Sequence, residues 1–124
     1  METDNAVEAR IDDLATEARA ASEAFVPPTD PPDEDEALRI VRERFGPTVS
    51  LFVEVRTGGR SVHFPPASYD RLEGAMNEWL GMYARCYGVE LDADFEVRNA
   101  AQLLVDTHNA RDVAQVLTGV PERA

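Results

Sequence analysis

Apolar residues recur near the start of the chain at Val7, Ile11, Leu14, Ala18, Ala21 and Phe25, at intervals alternating between four and three. That spacing predicts a helix with a single apolar seam over residues 1–26, capped by Asp4 or Asn5. Two seam positions are only alanine, so such a helix is marginal alone in water and needs a surface to lie on. Its own domain, a second copy of the chain or another protein can supply one. Residues 27–36 then place Pro27, Pro28, Pro31 and Pro32 among acids. Prolines bar both helix interior and central strand, which predicts an extended, semi-stiff linker before a globular domain over residues 37–124.

Within that domain, Leu38, Val41 and Phe45 share a helical face that Gly46-Pro47 is expected to end. Val49, Leu51, Val53 and Val55 alternate, Thr57-Gly58-Gly59 offers a turn, and Val62 and Phe64 alternate again. The pattern predicts a β-hairpin. A long helix follows from about Ser68 to Gly88. Leu72, Ala75, Met76, Trp79, Leu80, Met82, Tyr83, Cys86 and Tyr87 fall on one side of it, and Glu73, Gly74, Asn77, Glu78, Gly81 and Arg85 on the other. Alternation through Val89, Leu91, Ala93, Phe95 and Val97, then the apolar Leu103–Val105, predicts two more strands around Asn99-Ala100. A last helix is expected from Asn109 to Leu117, ended by Gly119 and Pro121. The order after the linker is α-ββα-ββα: an α+β domain with a four-stranded, mainly antiparallel sheet packed by helices on one face.

Charge changes the picture of the N-terminal part. The chain carries 24 acids and 12 bases, every base an arginine, for a formal net charge of −12. Residues 1–36 hold −10 of this and the rest only −2. Dense acid without lysine resembles cytosolic proteins of salt-accumulating archaea, although a high-GC genome also trades lysine for arginine. Such acidity repels nucleic acid and anionic membranes, and the one local cluster of bases, Arg39, Arg42 and Arg44, has Glu43 among it. The sequence shows neither a secretory signal nor an apolar run long enough to span a membrane, which predicts a cytoplasmic protein.

Candidate chemistry is sparse. Asp106, Thr107, His108 and Asn109 stand at an expected strand-to-helix junction, where free N–H groups hold anions and His108, oriented by Asp106, is placed for acid–base work. The same residue types are also the preferred helix caps. His63 is a further weak candidate, in the hairpin. No metal-ligand spacing, phosphate loop or cofactor motif is present, and the lone Cys86 sits in an apolar stripe. Gly74 and Gly81 lie opposite that stripe, where the absence of side chains lets another backbone approach. With Val7, Ile11, Leu14 and Phe25 of the seam they form the expected partner interface. The sequence thus points to a non-catalytic interaction or regulatory module, with a ligand-binding or enzymatic use of the Asp106/His108 junction as the alternative.

Overall fold

The computed structural model describes residues 2–57 and 65–122, and among them every regular element is helical. The helices are α1 (Glu2–Ala24), α2 (Glu34–Ile40), α3 (Gly46–Thr57), α4 (Pro66–Cys86), α5 (Val97–Thr107) and α6 (Ala110–Thr118), with a π-helical turn at Val41–Phe45 between α2 and α3. The expected α+β fold and its four-stranded sheet are therefore overturned.

The first half of the expected hairpin is α3. Thr48, Val49, Leu51, Phe52 and Val55 are buried there, and Glu54 alone among residues 48–55 is exposed. A segment buried on most sides has no polar face to reveal a helical period, and its alternating valines imitate a strand. The second half of that hairpin, with His63, lies outside the described residues. Gly46-Pro47 does not end the preceding helix either. Pro47 has no N–H to give, and a regular helix would drive its ring against the carbonyl four residues back. The π turn absorbs this: the Gly46 N–H reaches the carbonyl of Val41, five residues away, and the rod from Glu34 to Thr57 continues. Bulges of this kind are the usual way a helix takes in an extra residue.

The central helix is α4. It starts at Pro66, two residues before Ser68, with proline in the first turn where its missing N–H costs nothing. Leu72, Met76 and Leu80 are fully buried along it, with Trp79, Met82 and Tyr83 nearly so. Its C-terminus closes in a Schellman arrangement: Gly88, at φ 77°, donates to Arg85, and Val89 donates to Ala84. The Asp33 N–H reaches the carbonyl of Cys86 at 2.7 Å, so the proline-rich segment ends against this terminus.

Three long pieces pack together. Asp12 pairs with Arg71 at 2.6 Å near the start of α4, and Glu17 pairs with Arg44, which lies over Trp79 farther along it, so α1 runs with α4. The α2–α3 rod runs against both, from Asp33 at Cys86 to Phe52 edge-on to Tyr69. Ile11 and Ala18 of α1 are fully buried in the common core. α5 packs on α3, and α6 folds back on α5 and reaches the π turn, where Ala110 lies close to Gly46.

Neither of the two later strands forms. Val97, Ala100 and Ala101 are buried at helical spacing in α5, and Val105, expected inside a strand, is 47% exposed. Residues 89–96 are instead a strap that runs along α4 with no partner strand among the described residues.

Candidate functional site

The candidates from the sequence fall at an α5–α6 corner rather than a strand-to-helix junction. His108 ends α5 in the left-handed region, at φ 53°, with its N–H on the Leu104 carbonyl. The Asn109 side chain accepts from the Asp112 N–H and starts α6. The Thr107 hydroxyl donates to Leu103 and accepts from the Asn109 N–H, while Asp106 accepts from Gln102. All four residues are exposed. Their hydrogen bonds serve to end one helix and begin the next.

Of the expected interface residues, Ile11 is buried in the core, and Val7, Leu14 and Phe25 pack half-buried against it. The seam of α1 is thus turned toward its own chain. Ion pairs reinforce the contact at its margin: Arg10 with Glu54, Asp12 with Arg71, and Glu17 with Arg44. Arg44 also lies 5.8 Å from the Trp79 ring centroid, over its face. Trp79 Nε1 is the one buried side-chain polar atom among the described residues without a hydrogen-bond partner. Arg39 stands between Glu36 and Glu43, so two of the three clustered arginines are held by carboxylates.

Gly74 and Gly81 are different. Among the described residues nothing lies within 4 Å of the position a Gly74 Cβ would take, and the nearest atom to a Gly81 Cβ is the Leu91 carbonyl oxygen, at 3.8 Å. Gly74 is the meeting point of two hollows. One, about 820 Å³, lies between α1 and α4; the other, about 460 Å³, lies between α4 and the strap. Both are bordered by Asp70, Gly74 and Glu78, and together they form a trough over the outer face of α4.

The strap wall of this trough is fixed by side chains of α4. Asn77 Nδ2 donates to the Phe95 carbonyl at 3.0 Å, and Asn77 Oδ1 accepts from the Phe95 N–H at 2.9 Å. Glu73 Oε2 accepts from the Val97 N–H and so caps α5. Leu91, Ala93 and Phe95 turn inward, and Glu90, Asp92, Asp94 and Glu96 stay exposed. Alternation in the sequence is thus real, but its hydrogen-bond partner is an amide side chain.

Seven carboxylates (Asp12, Glu23, Asp70, Glu73, Glu78, Asp92, Asp94) border the trough against Arg19, Arg71 and Arg85. The excess of acid gives it a negative field. Among the described residues no group of three or more His, Cys, Asp or Glu side chains is arranged to hold a metal ion, so the carboxylates line a surface rather than converge on a point. The helical period had already placed Gly74, Asn77, Glu78 and Gly81 on one face. Nothing in the sequence showed the strap that walls it.

Cys86 is fully buried, and burial pushes its thiol up to about 11, with Glu36 and Asp33 adding to the rise. A thiol so held is inert as a nucleophile at neutral pH. Tyr83 is raised too, chiefly by burial, and its hydroxyl donates to the Val120 carbonyl at 2.7 Å. Among the described residues, no helix is long and apolar enough to cross a membrane.

No curated protein and no solved structure matches this chain. A family model does, over residues 5–122, a span that takes in most of α1, the proline-rich segment and all the later helices. The chain belongs to the family described as Domain of unknown function (DUF8055).

Proposed function

We propose that the chain is a non-catalytic interaction module and that the trough over α4 is where it receives another protein. The observation that carries this is Gly74. A glycine inside an exposed stretch of helix costs about 1 kcal/mol relative to alanine. No described neighbour needs the space it leaves, since a Cβ there would meet none of them within 4 Å. The fold gains nothing from the vacancy, whereas a docking chain gains close approach to the helix backbone. Because the seam of α1 is committed to its own chain, the partner surface moves from that seam to the glycine face. Here α1 serves as one wall of the site and not as a free arm.

Photo-cross-linking tests the reading. A cross-linking residue placed at Glu78, inside the trough, is expected to give adducts with another polypeptide in cells. The same residue at Asp106, at the α5–α6 corner, is expected to give none. Equal labelling from both positions, or none from Glu78, defeats the proposal.

A further inference from the structure

We infer that the partner enters the trough as an extended, arginine- or lysine-rich segment of another protein, laid along the strap. This rests on the reading of the trough as a docking surface and adds the chemistry of the occupant. Charge is the first argument. The hollow between α4 and the strap is bordered by Asp70, Glu73, Glu78, Asp92 and Asp94, with Arg85 the one base among the described residues there. A cationic chain is attracted there and an acidic one is repelled.

The backbone of the strap is the second, independent argument. From Glu90 to Asp94 it makes no hydrogen bond with any described residue, because the Asn77 clasp begins only at Phe95. Four of those residues, Leu91 to Asp94, form a wall of the hollow. Unpaired N–H and C=O groups along an extended segment are what an added strand uses, with main-chain bonds giving affinity and alternate side chains giving selectivity. Period-two alternation in the strap sets the register: Asp92 and Asp94 stay exposed while Leu91 and Ala93 turn toward α4. A segment with a base at every second position meets both carboxylates while pairing with the backbone between them. A helix in the same hollow would leave those backbone groups unmet.

The test is a titration of the isotope-labelled full chain with a short peptide alternating arginine and valine, followed by NMR and calorimetry at several salt concentrations. Expected are shifts of the amides of residues 90–94 and binding that weakens steadily with salt. Affinity is expected to fall at least about tenfold in the Asp92→Asn, Asp94→Asn double variant, whose uncharged amides keep the shape of the wall. A peptide with alternate N-methylated amides should bind as poorly. Unmoved strap amides, equal affinity for the N-methylated peptide, or equal affinity for a glutamate–valine peptide each overturn the inference. The two proposals fail separately. Cross-links from Glu78 without strap shifts leave the trough as a docking site and remove the extended cationic occupant, whereas loss of both removes the site itself.

Discussion

Asn77 grips both backbone groups of Phe95: its Nδ2 donates to the Phe95 carbonyl at 3.0 Å and its Oδ1 accepts from the Phe95 N–H at 2.9 Å. A helix side chain thus supplies the pair of bonds a neighbouring strand would supply. Replacement by alanine removes both and is expected to cost about 1–3 kcal/mol in denaturant unfolding. Amide exchange should accelerate most at residues 91–96 and little in α1. Asn77→Asp is expected to destabilise as well, since the carboxylate keeps the acceptor for the Phe95 N–H but sets an oxygen against the Phe95 and Glu73 carbonyls. Equal exchange along the strap in wild type and Asn77→Ala would show that the clasp does not hold it.

Ile11 tests whether α1 belongs to the cooperative core. It is fully buried with Ala18, near the ion pairs of Asp12 with Arg71 and Glu17 with Arg44. Ile11→Ala is expected to lower global stability by about 2–4 kcal/mol through lost burial and an unfilled cavity. Exposed ion pairs contribute far less, so Asp12→Asn should cost under about 1 kcal/mol. The single tryptophan, Trp79, reports the transition, because Arg44 holds its position over that ring. A helix that docks without sharing the core would give a separate, earlier transition in the Ile11→Ala variant and leave the main one unmoved.

How far the sequence revealed this fold depended on what each helix faces. The stripe of α4 was plain because Leu72, Met76, Trp79, Leu80 and Tyr83 are large and Glu73, Asn77 and Glu78 mark the other side. α3 was hidden because Thr48, Val49, Leu51, Phe52 and Val55 are buried on several sides, which erases the contrast that a period needs. α5 was hidden for another reason: its stripe of Val97, Ala100, Ala101 and Leu104 has two small residues at its middle, while exposed Val105 extends Leu103 and Leu104 into an apolar run that imitates a strand. The glycine face of the trough was visible and its strap wall was not, since that wall depends on Asn77 meeting Phe95 eighteen positions away.

Three glycines should respond to alanine with different signs. At Gly74 the added methyl meets open space, so the substitution is expected to stabilise by up to about 1 kcal/mol through helix propensity. At Gly46 it comes to 3.0 Å from the Val41 carbonyl inside the π turn and is expected to destabilise. Gly88 should be the worst. Its φ of 77° strains any L side chain by about 1–2 kcal/mol, and the methyl would sit 2.9 Å from Pro31. Thermal melts of the three variants decide it. A stabilised Gly46→Ala would mean that the π turn relaxes freely.

The dependence of stability on pH should be asymmetric. Glu36 is held below its usual value by its hydrogen bond to Arg39, so its stabilisation is complete above about pH 4.5 and is lost as pH falls through the lowered folded value. Arg39→Met should flatten that acid limb. At the alkaline end the sign reverses. Cys86 is raised from 9.0 to about 11 by burial, so the unfolded chain ionises first and stability falls as pH climbs from about 9 to 11. Tyr83, raised above its ordinary 10.0, adds a further fall above that value. Denaturant titrations at pH 8 and 10.5 should show a smaller loss in Cys86→Ala than in wild type, although the variant starts less stable because of its small cavity. An identical loss in both would mean that the thiol is not sealed in the folded state, and thiol labelling of the native protein at pH 8 would then be fast instead of following unfolding.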